Sequence, residues 1–299
     1  TYHSAAMDGV ALRAEDTFKA REGRPVTLSP DRDFKWVNTG APLPRDTDAV
    51  VMIEHVHILD SGEIALEKSA FPWQHVRRIG EDIVASELLF PQNHEITAYD
   101  VGALLTAGIW EIPVLEKVCI AFIPTGDEVV DFVKKPIPEA GQVVESNSQV
   151  LASMARDWGA DFRRYSPVPD DENRIGEAVD RAAREGAHIV VLGAGSSAGS
   201  KDFTRKVMEK KGQVVVHGIK AMPGKPTVLG CSTENILIGA PGYPVSSIIC
   251  FERILRPLVF KLQRRVAPER DRVEAVLTRR VASRPGMEEF VRVALGRVK

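Results

Sequence analysis

The pattern of apolar and polar residues changes character near residue 116. Before that point the apolar positions form short, strand-like runs such as DAVVMIE (48–54) and HVHIL (55–59). The latter is separated from EIAL (63–66) by Asp60-Ser61-Gly62, a spacing that predicts a hairpin. A β-rich domain is therefore expected over 1–81, followed by a small connecting region (82–115) with a helix near 98–107 that places Val101, Leu104 and Leu105 on one face. After 116, strand and helix alternate. VCIAFI (118–123) reads as a buried strand feeding the polar loop PTGDE (124–128). Ser146-Asn147 then caps a helix whose Val150, Leu151, Met154 and Trp158 recur at helical spacing until Gly159.

A second helix over 172–185 gathers Ile175, Val179, Ala182 and Ala183, and HIVVL (188–192) follows as a central parallel strand. A helix over 201–211, strands at 214–217 and 235–239, and a long helix over 245–262 complete the series. The predicted fold class is α/β: a three-layer αβα domain over 116–267 with a mostly parallel sheet. Beyond 268 the alternation of Val273, Ala275 and Leu277 suggests the start of a C-terminal β domain, truncated at 299.

Composition narrows the function. The 44% apolar and 27% charged residues are those of a folded chain. Lys plus Arg number 39 and Asp plus Glu 41, a net charge of −2, so no global positive field draws in nucleic acid or an anionic membrane. Any anion must be held locally. Cys119, Cys231 and Cys250 are odd in number and far apart, which predicts no disulfide framework and a reducing, cytoplasmic setting. No apolar run is long enough to span a bilayer.

In open α/β sheets, ligands bind beyond the carboxyl ends of the strands. Three loops meet that description: 125–128, 193–202 and 241–246. The second has its glycines as G-x-G-x-x-x-G with no acidic residue at the right distance, which excludes a dinucleotide fingerprint. Its amides at a helix start still suit phosphate, although the same glycines also suit a plain strand-to-helix turn. Asp202 reads either as a helix-start carboxylate or as a ligand for a metal bridging phosphates. MPGKP (222–226) fixes a lone Lys225 between two prolines, a rigid presentation that suits an anion and also an ordinary turn. Pro241 and Pro244 stiffen the third loop, and Ser246 and Ser247 fall in the exposed first helical turn. The histidines show no metal spacing, and no G-x-S-x-G elbow is present.

Eight segments in order carry a family resemblance: SAAMDGVA (4–11), NTGAPLPRDTDAVVMIE (38–54), RRIGEDI (77–83), IPTGDEVV (123–130), SNSQVL (146–151), GAGSSAGSKDF (193–203), MPGKP (222–226) and APGYPVS (240–246). In these the chain resembles the molybdopterin molybdenumtransferase family, which includes the E domain of gephyrin. The resemblance implies a molybdopterin-binding αβα domain that inserts molybdate into the dithiolene of adenylylated molybdopterin and releases AMP with Mg²⁺ present. It implies catalytic roles for Asp8, Thr39, Asp82, Asp127, Glu128 and Asp202, with Glu128 and Asp202 as metal ligands. Substrate would be held by Gly193, Gly195, Ser196, Ser197, Gly199, Lys225, Pro241, Pro244 and Ser246. It also implies a homodimer in which Asp8, Thr39 and Asp82 of one subunit complete the site of the other. Val10, Ala194, Met222 and Tyr243 depart from the family's usual tyrosine, glycine, lysine and asparagine. These departures motivate alternatives: a noncatalytic molybdopterin-binding or sensing module, a scaffold of the same fold, or a tungstate-specific insertase.

Overall fold

The computed structural model describes residues 2–193 and 203–296, so Gly195, Ser196, Ser197, Gly199 and Asp202 lie outside the described residues, as does Ala194. The chain divides into two compact units, Thr1–Trp110 and Glu111–Lys299.

The first unit carries eight short strands: β1 (Ser4–Ala5), β2 (Gly9–Leu12), β3 (Val26–Leu28), β4 (Phe34–Val37), β5 (Ala49–Met52), β6 (His57–Ile58), β7 (Ile64–Leu66) and β8 (Val76–Arg77). They form two antiparallel three-stranded sheets, β4-β2-β5 and β3-β7-β6, and a small β1-β8 pair. The hairpin predicted around Asp60-Ser61-Gly62 is the β6-β7 pair. All four residues of β2 are buried because its sheet is covered on both faces. Val10, Leu12, Phe34 and Val51 pack with Leu28, Ile64 and Leu66 of the other sheet, while Ala11, Val37 and Val50 join Ala5 and Val76. The expected helix is α1 (Ala98–Thr106), started by a capping box between Thr97 and Asp100. Of its predicted apolar face only Leu104 is buried; Val101 and Leu105 are 46% and 48% exposed.

The second unit begins with β9 (Cys119–Pro124), β10 (Val129–Val130), β11 (Val143–Val144), α2 (Asn147–Asp157), β12 (Asp161–Arg164), α3 (Glu172–Arg184) and β13 (Ile189–Gly193). It continues through α4 (Phe203–Lys211), β14 (Gln213–His217), β15 (Ala221–Met222), β16 (Val228–Cys231), β17 (Ile236–Ala240), α5 (Pro244–Cys250), α6 (Arg256–Leu262) and β18 (Glu288–Glu289). A six-stranded sheet runs β12-β9-β13-β17-β16-β14, the first four parallel and the last two antiparallel. The alternation along β9 decides the layers. Ile120 and Phe122 face the cluster made with Leu151 and Ala155 of α2 and Phe251, Leu255 and Val259, whereas Ala121 and Ile123 face Ile175, Val179, Val207 and Met208 of α3 and α4. Helices thus cover both faces, as the alternating pattern predicted.

Three local readings of the sequence are corrected. Ser146 occupies the cap position of α2 without capping through its side chain; the Glu145 carboxylate accepts the Ser148 amide instead, at 2.8 Å. The long C-terminal helix is interrupted by a π-turn, Phe251–Leu255, where the Arg256 amide bonds back to Phe251. Pro257 follows with no amide to donate and a ring that crowds the preceding turn, so the extra residue relieves the ladder there. Residues 273–277 form no strand, and the C-terminal pairing that does exist is β18 parallel to β15.

Candidate functional site

The carboxyl ends of β9, β13 and β17 carry the three loops singled out in the sequence. The chain leaves β9 toward α2 on one face of the sheet, β13 precedes α4 on the other face, and β17 leads to α5 on the first. Neighbouring strands whose connections diverge to opposite faces open a crevice between them.

Buried hydrogen bonds fix the floor of that crevice. The Thr125 amide and hydroxyl donate to the Gly193 carbonyl at 2.6 and 3.3 Å, tying β9 to β13 where both strands end. Gly193 has no room for a side chain: a Cβ there would stand 2.2 Å from Cζ of Phe122, a fully buried ring that meets Phe251 edge-on. Its glycine is thus a packing requirement of the floor, a role additional to the predicted contact with substrate.

Asp127 and Glu128 both stand exposed at the rim. The Asp127 carboxylate accepts the Asp170 amide at 3.1 Å, which pins the loop after β12, and the Glu128 carboxylate folds back over Gly126. Beneath them lies an ionic network that sequence reasoning missed. Arg164 donates to Asp131 at 2.6 Å, to Glu145 at 3.3 Å and to the Ser148 hydroxyl at 3.2 Å, and its guanidinium lies 4.5 Å from the centroid of the Phe132 ring. The network joins the loop carrying Asp127 and Glu128 to the start of α2. Its members are ordinary surface types far apart in sequence, so periodicity gave no signal for them.

Asn147, read in the sequence only as part of a helix cap, reaches across to the third loop. Its side-chain amide donates to the Gly242 carbonyl at 2.9 Å and to the Ser247 hydroxyl at 3.2 Å, and Ser247 in turn bonds the Pro241 carbonyl. Pro241 is buried and Pro244 opens α5; Ser246 is half-buried in the first turn, while Ser247 is the knot of the loop. Tyr243 is 82% exposed. Gly224 packs against Ile249 of α5, which sets the MPGKP turn beside the third loop, and the Lys225 side chain is exposed. Met222, Pro223 and Val245 share one wall of a cavity of about 780 Å³.

In the first unit the structure brings Asp8 and Thr39 together. The Thr39 amide and hydroxyl donate to one Asp8 oxygen at 2.6 and 3.0 Å, and these bonds, the amide's first, hold the Asp8 carboxyl below its ordinary value. Gly9 makes the turn possible, since a Cβ there would lie 2.0 Å from the Val51 carbonyl oxygen. Asp82 is exposed in the bend after Gly80 and is not joined to the Asp8–Thr39 pair within this unit. Val10 is fully buried, so its departure from tyrosine is a change of core packing.

Among the described residues no group of three or more His, Cys, Asp or Glu side chains could hold a metal ion. Glu128 belongs to no such group, and the other expected ligand, Asp202, lies outside the described residues. The described donors alone do not make a magnesium site. No helix among the described residues is long and apolar enough to cross a membrane.

A divergent crevice at the ends of parallel strands, floored by buried hydrogen bonds and flanked by a proline-stiffened lysine turn, defines a ligand-binding αβα domain joined to a β-rich unit. Residues 121–261 match the family described as probable molybdopterin binding domain, and residues 1–108 match the MoeA N-terminal region (domain I and II). The chain is 32% identical over 305 residues to a putative molybdopterin biosynthesis protein of Methanocaldococcus jannaschii, covering 98% of this chain and 74% of that protein. It is 32% identical over 273 residues to a molybdopterin molybdenumtransferase of Haemophilus influenzae, covering 88% and 67%. The crystal structure of a molybdopterin biosynthesis MoeA protein from Pyrococcus horikoshii superposes with a TM-score of 0.75 at 30% identity, over 88% of this chain and 69% of that one. The chain belongs to the molybdopterin molybdenumtransferase family, enzymes of molybdenum cofactor biosynthesis, and the relatives do not favour the tungstate-specific alternative.

Proposed function

We propose that this protein inserts molybdate into adenylylated molybdopterin and cleaves the adenylate to release AMP. The observation that carries the reading is the convergence of the 125–128, 193 and 241–246 loops at the divergent end of the parallel sheet, with Met222, Pro223 and Val245 on one cavity wall beside them. A phosphorylated, ring-bearing substrate suits such a place: the exposed Lys225 ammonium supplies positive charge, and Met222, Pro223 and Val245 supply an apolar surface for the ring. Asp8, held anionic by Thr39, is the acidic group of the first unit best prepared to stay charged and orient bound water or a cation. In a homodimer, the Asp8–Thr39 pair and Asp82 of one subunit would complete the crevice of the other. Cytoplasmic placement accords with a small-molecule biosynthetic role.

Incubation with adenylylated molybdopterin, molybdate and Mg²⁺ should yield AMP, read by chromatography. No AMP, under conditions in which a verified family member works, would overturn the proposal. Chelation with EDTA should abolish the release if magnesium takes part. Met222 on the cavity wall and Tyr243 in solvent give the noncatalytic binding reading its support. That reading requires pterin binding without AMP release, and turnover gained by Met222→Lys with Tyr243→Asn.

A further inference from the structure

Three segments of the first unit carry the residues that the proposed function draws from it: 4–9 with Asp8, 38–43 with Thr39 and 75–82 with Asp82. The first two are closely joined. Besides the bonds between Thr39 and Asp8, the Gly40 amide donates to the Ala5 carbonyl at 2.8 Å and the Ala5 amide to the Ala41 carbonyl at 3.0 Å. The third segment is tied to the first by the Ala6 amide, which donates to the His75 carbonyl at 2.8 Å, and by the two-residue ladder of β1 and β8. That ladder ends at Ser4 opposite Arg77, and the turn leading to Asp82 begins where it stops.

His3 carries the connection one step further. Its backbone carbonyl accepts the Leu43 amide at 2.8 Å, and its imidazole supplies a second acceptor, since the Ile79 amide donates to Nδ1 at 3.1 Å. The ring is half-buried against Trp73, with centroids 4.9 Å apart and planes at 46°. Trp73 is itself fixed: its amide donates to the Asp48 carbonyl at 2.6 Å, and its backbone is held in the left-handed region at φ 67°. Past Ile79 the chain turns at once. The Glu81 amide donates to the Arg78 carbonyl at 3.1 Å, and the Glu81 carboxylate accepts the Arg78 amide at 3.0 Å. The imidazole bond therefore sets where this turn, with Asp82 at its end, leaves the ladder.

A nitrogen that accepts an amide hydrogen carries no proton of its own, so the neutral ring holds its proton on Nε2. A second proton makes Nδ1 a donor facing a donor, and the bond to Ile79 is lost. Imidazole is the side chain suited to such an exchange near neutrality. The charged or titratable groups on the segments packed against His3 are Arg77, Arg78, Glu81 and Asp82 of the turn, His75 before it, Asp48 behind Trp73 and Arg45 beyond Leu43. We infer that His3 is a positioning residue: its unprotonated Nδ1 holds the 78–82 turn, and with it Asp82, in place beside the segments of Asp8 and Thr39, and acidification releases that turn. The inference deepens the proposed function and rests on it for the role of Asp82.

Exchange of the Ile79 amide with solvent, followed by NMR on the full chain and expressed as protection relative to an unstructured peptide, tests it at about pH 8 and about pH 5.5. The variants are His3→Ala, which has no acceptor, and His3→Asn, whose side-chain oxygen accepts a hydrogen bond at either pH. At the higher pH the parent and His3→Asn should protect the amide about five- to tenfold more than His3→Ala, the weight of one hydrogen bond. At the lower pH the parent should fall to the level of His3→Ala while His3→Asn keeps its protection. Ring nitrogen shifts should place the His3 proton on Nε2 at the higher pH. AMP release should follow the turn: His3→Ala lowers kcat about tenfold at the higher pH with a smaller change in KM, His3→Asn restores it, and only the parent loses the difference on acidification. Equal protection in the parent and His3→Ala overturns the inference. So does parental protection that survives at the lower pH, a proton on Nδ1 at the higher pH, or a His3→Asn variant as unprotected as His3→Ala. The two readings fail separately. A turn that switches as expected in a chain that releases no AMP removes the catalytic reading alone; AMP release with the same pH profile in the parent and His3→Asn, while the parental turn switches, removes the positioning role alone.

Discussion

Replacing Arg164 with alanine should unfasten the site's support from below. The guanidinium bonds Asp131 and Glu145, whose side chains are 11% and 4% exposed, while Arg164 itself is 17% exposed. Removing one partner from a buried ion pair costs about 3–5 kcal/mol, because the charge left behind has lost both its counterion and its water. Two features reduce that figure. Glu145 keeps the Ser148 amide at 2.8 Å and the Ser148 hydroxyl at 2.5 Å, and the vacated edge of the network admits water. A loss of roughly 2–3 kcal/mol is therefore expected, which at a urea m-value of about 2 kcal/mol/M lowers the midpoint by roughly 1 M. Trp158, buried at the end of α2, is the sole tryptophan of the second unit, so its fluorescence in a Trp36→Phe, Trp73→Phe, Trp110→Phe background reports that unit's unfolding. The KM for adenylylated molybdopterin should rise more than kcat falls, since the network sets the height of the 125–128 loop and the start of α2. A midpoint shift worth less than about 0.5 kcal/mol, or an Arg164→Lys variant as stable as the parent, would refute the reasoning, since a lysine cannot reach three acceptors as a planar fork does.

Asp8→Asn should lower AMP release by an order of magnitude or more while the thermal transition of the first unit stays in place, because the carboxylate is exposed and its amide replacement still accepts from Thr39. The Asp8 carboxyl, followed by NMR, should titrate below the ordinary aspartate range of about 3.9. A depressed folded value means its contribution to stability is fully present above the unfolded value and is lost as pH falls through the folded one; Thr39→Val, which keeps the dominant amide bond, should raise the titration only part of the way. Asn147→Ala frees the Gly242 carbonyl and should cost about 1 kcal/mol with a severalfold rise in KM, measured by urea titration and initial rates. Gly193→Ala should destabilise by about 1–3 kcal/mol by driving a methyl group into the Phe122 ring, and loss of binding without loss of stability would show that the glycine serves the ligand alone.

The layered α/β fold was readable because β9 and β13 are continuous apolar runs, and because Ile175, Val179 and Ala182 mark one face of α3. Two strands, β12 at one edge and β16 inside the other, were not. Strand β12 reads DFRR, too polar and short to announce itself, and β16 contains a glycine that any Cβ would bring to 2.7 Å from the Gln213 carbonyl oxygen. The π-turn before Pro257 also escaped, since an apolar period of 3.6 continues on both sides of one inserted residue. For the candidate site, glycines and prolines marked the loops in the sequence, whereas the meeting of Asp8 with Thr39 within one unit became visible only in the structure.

By itself the sequence determined the order of most elements, the class of fold and which loops are candidates for chemistry, because periodicity and turn residues act locally and survive without knowledge of neighbours. Only the tertiary structure decided which polar groups work as partners. Arg164 with Glu145 and Asn147 with Gly242 are brought together by the packing of helices and loops onto a sheet. A hydrogen bond or ion pair across that distance in sequence leaves no periodic trace, since its geometry exists only once the hydrophobic layers have set the separations.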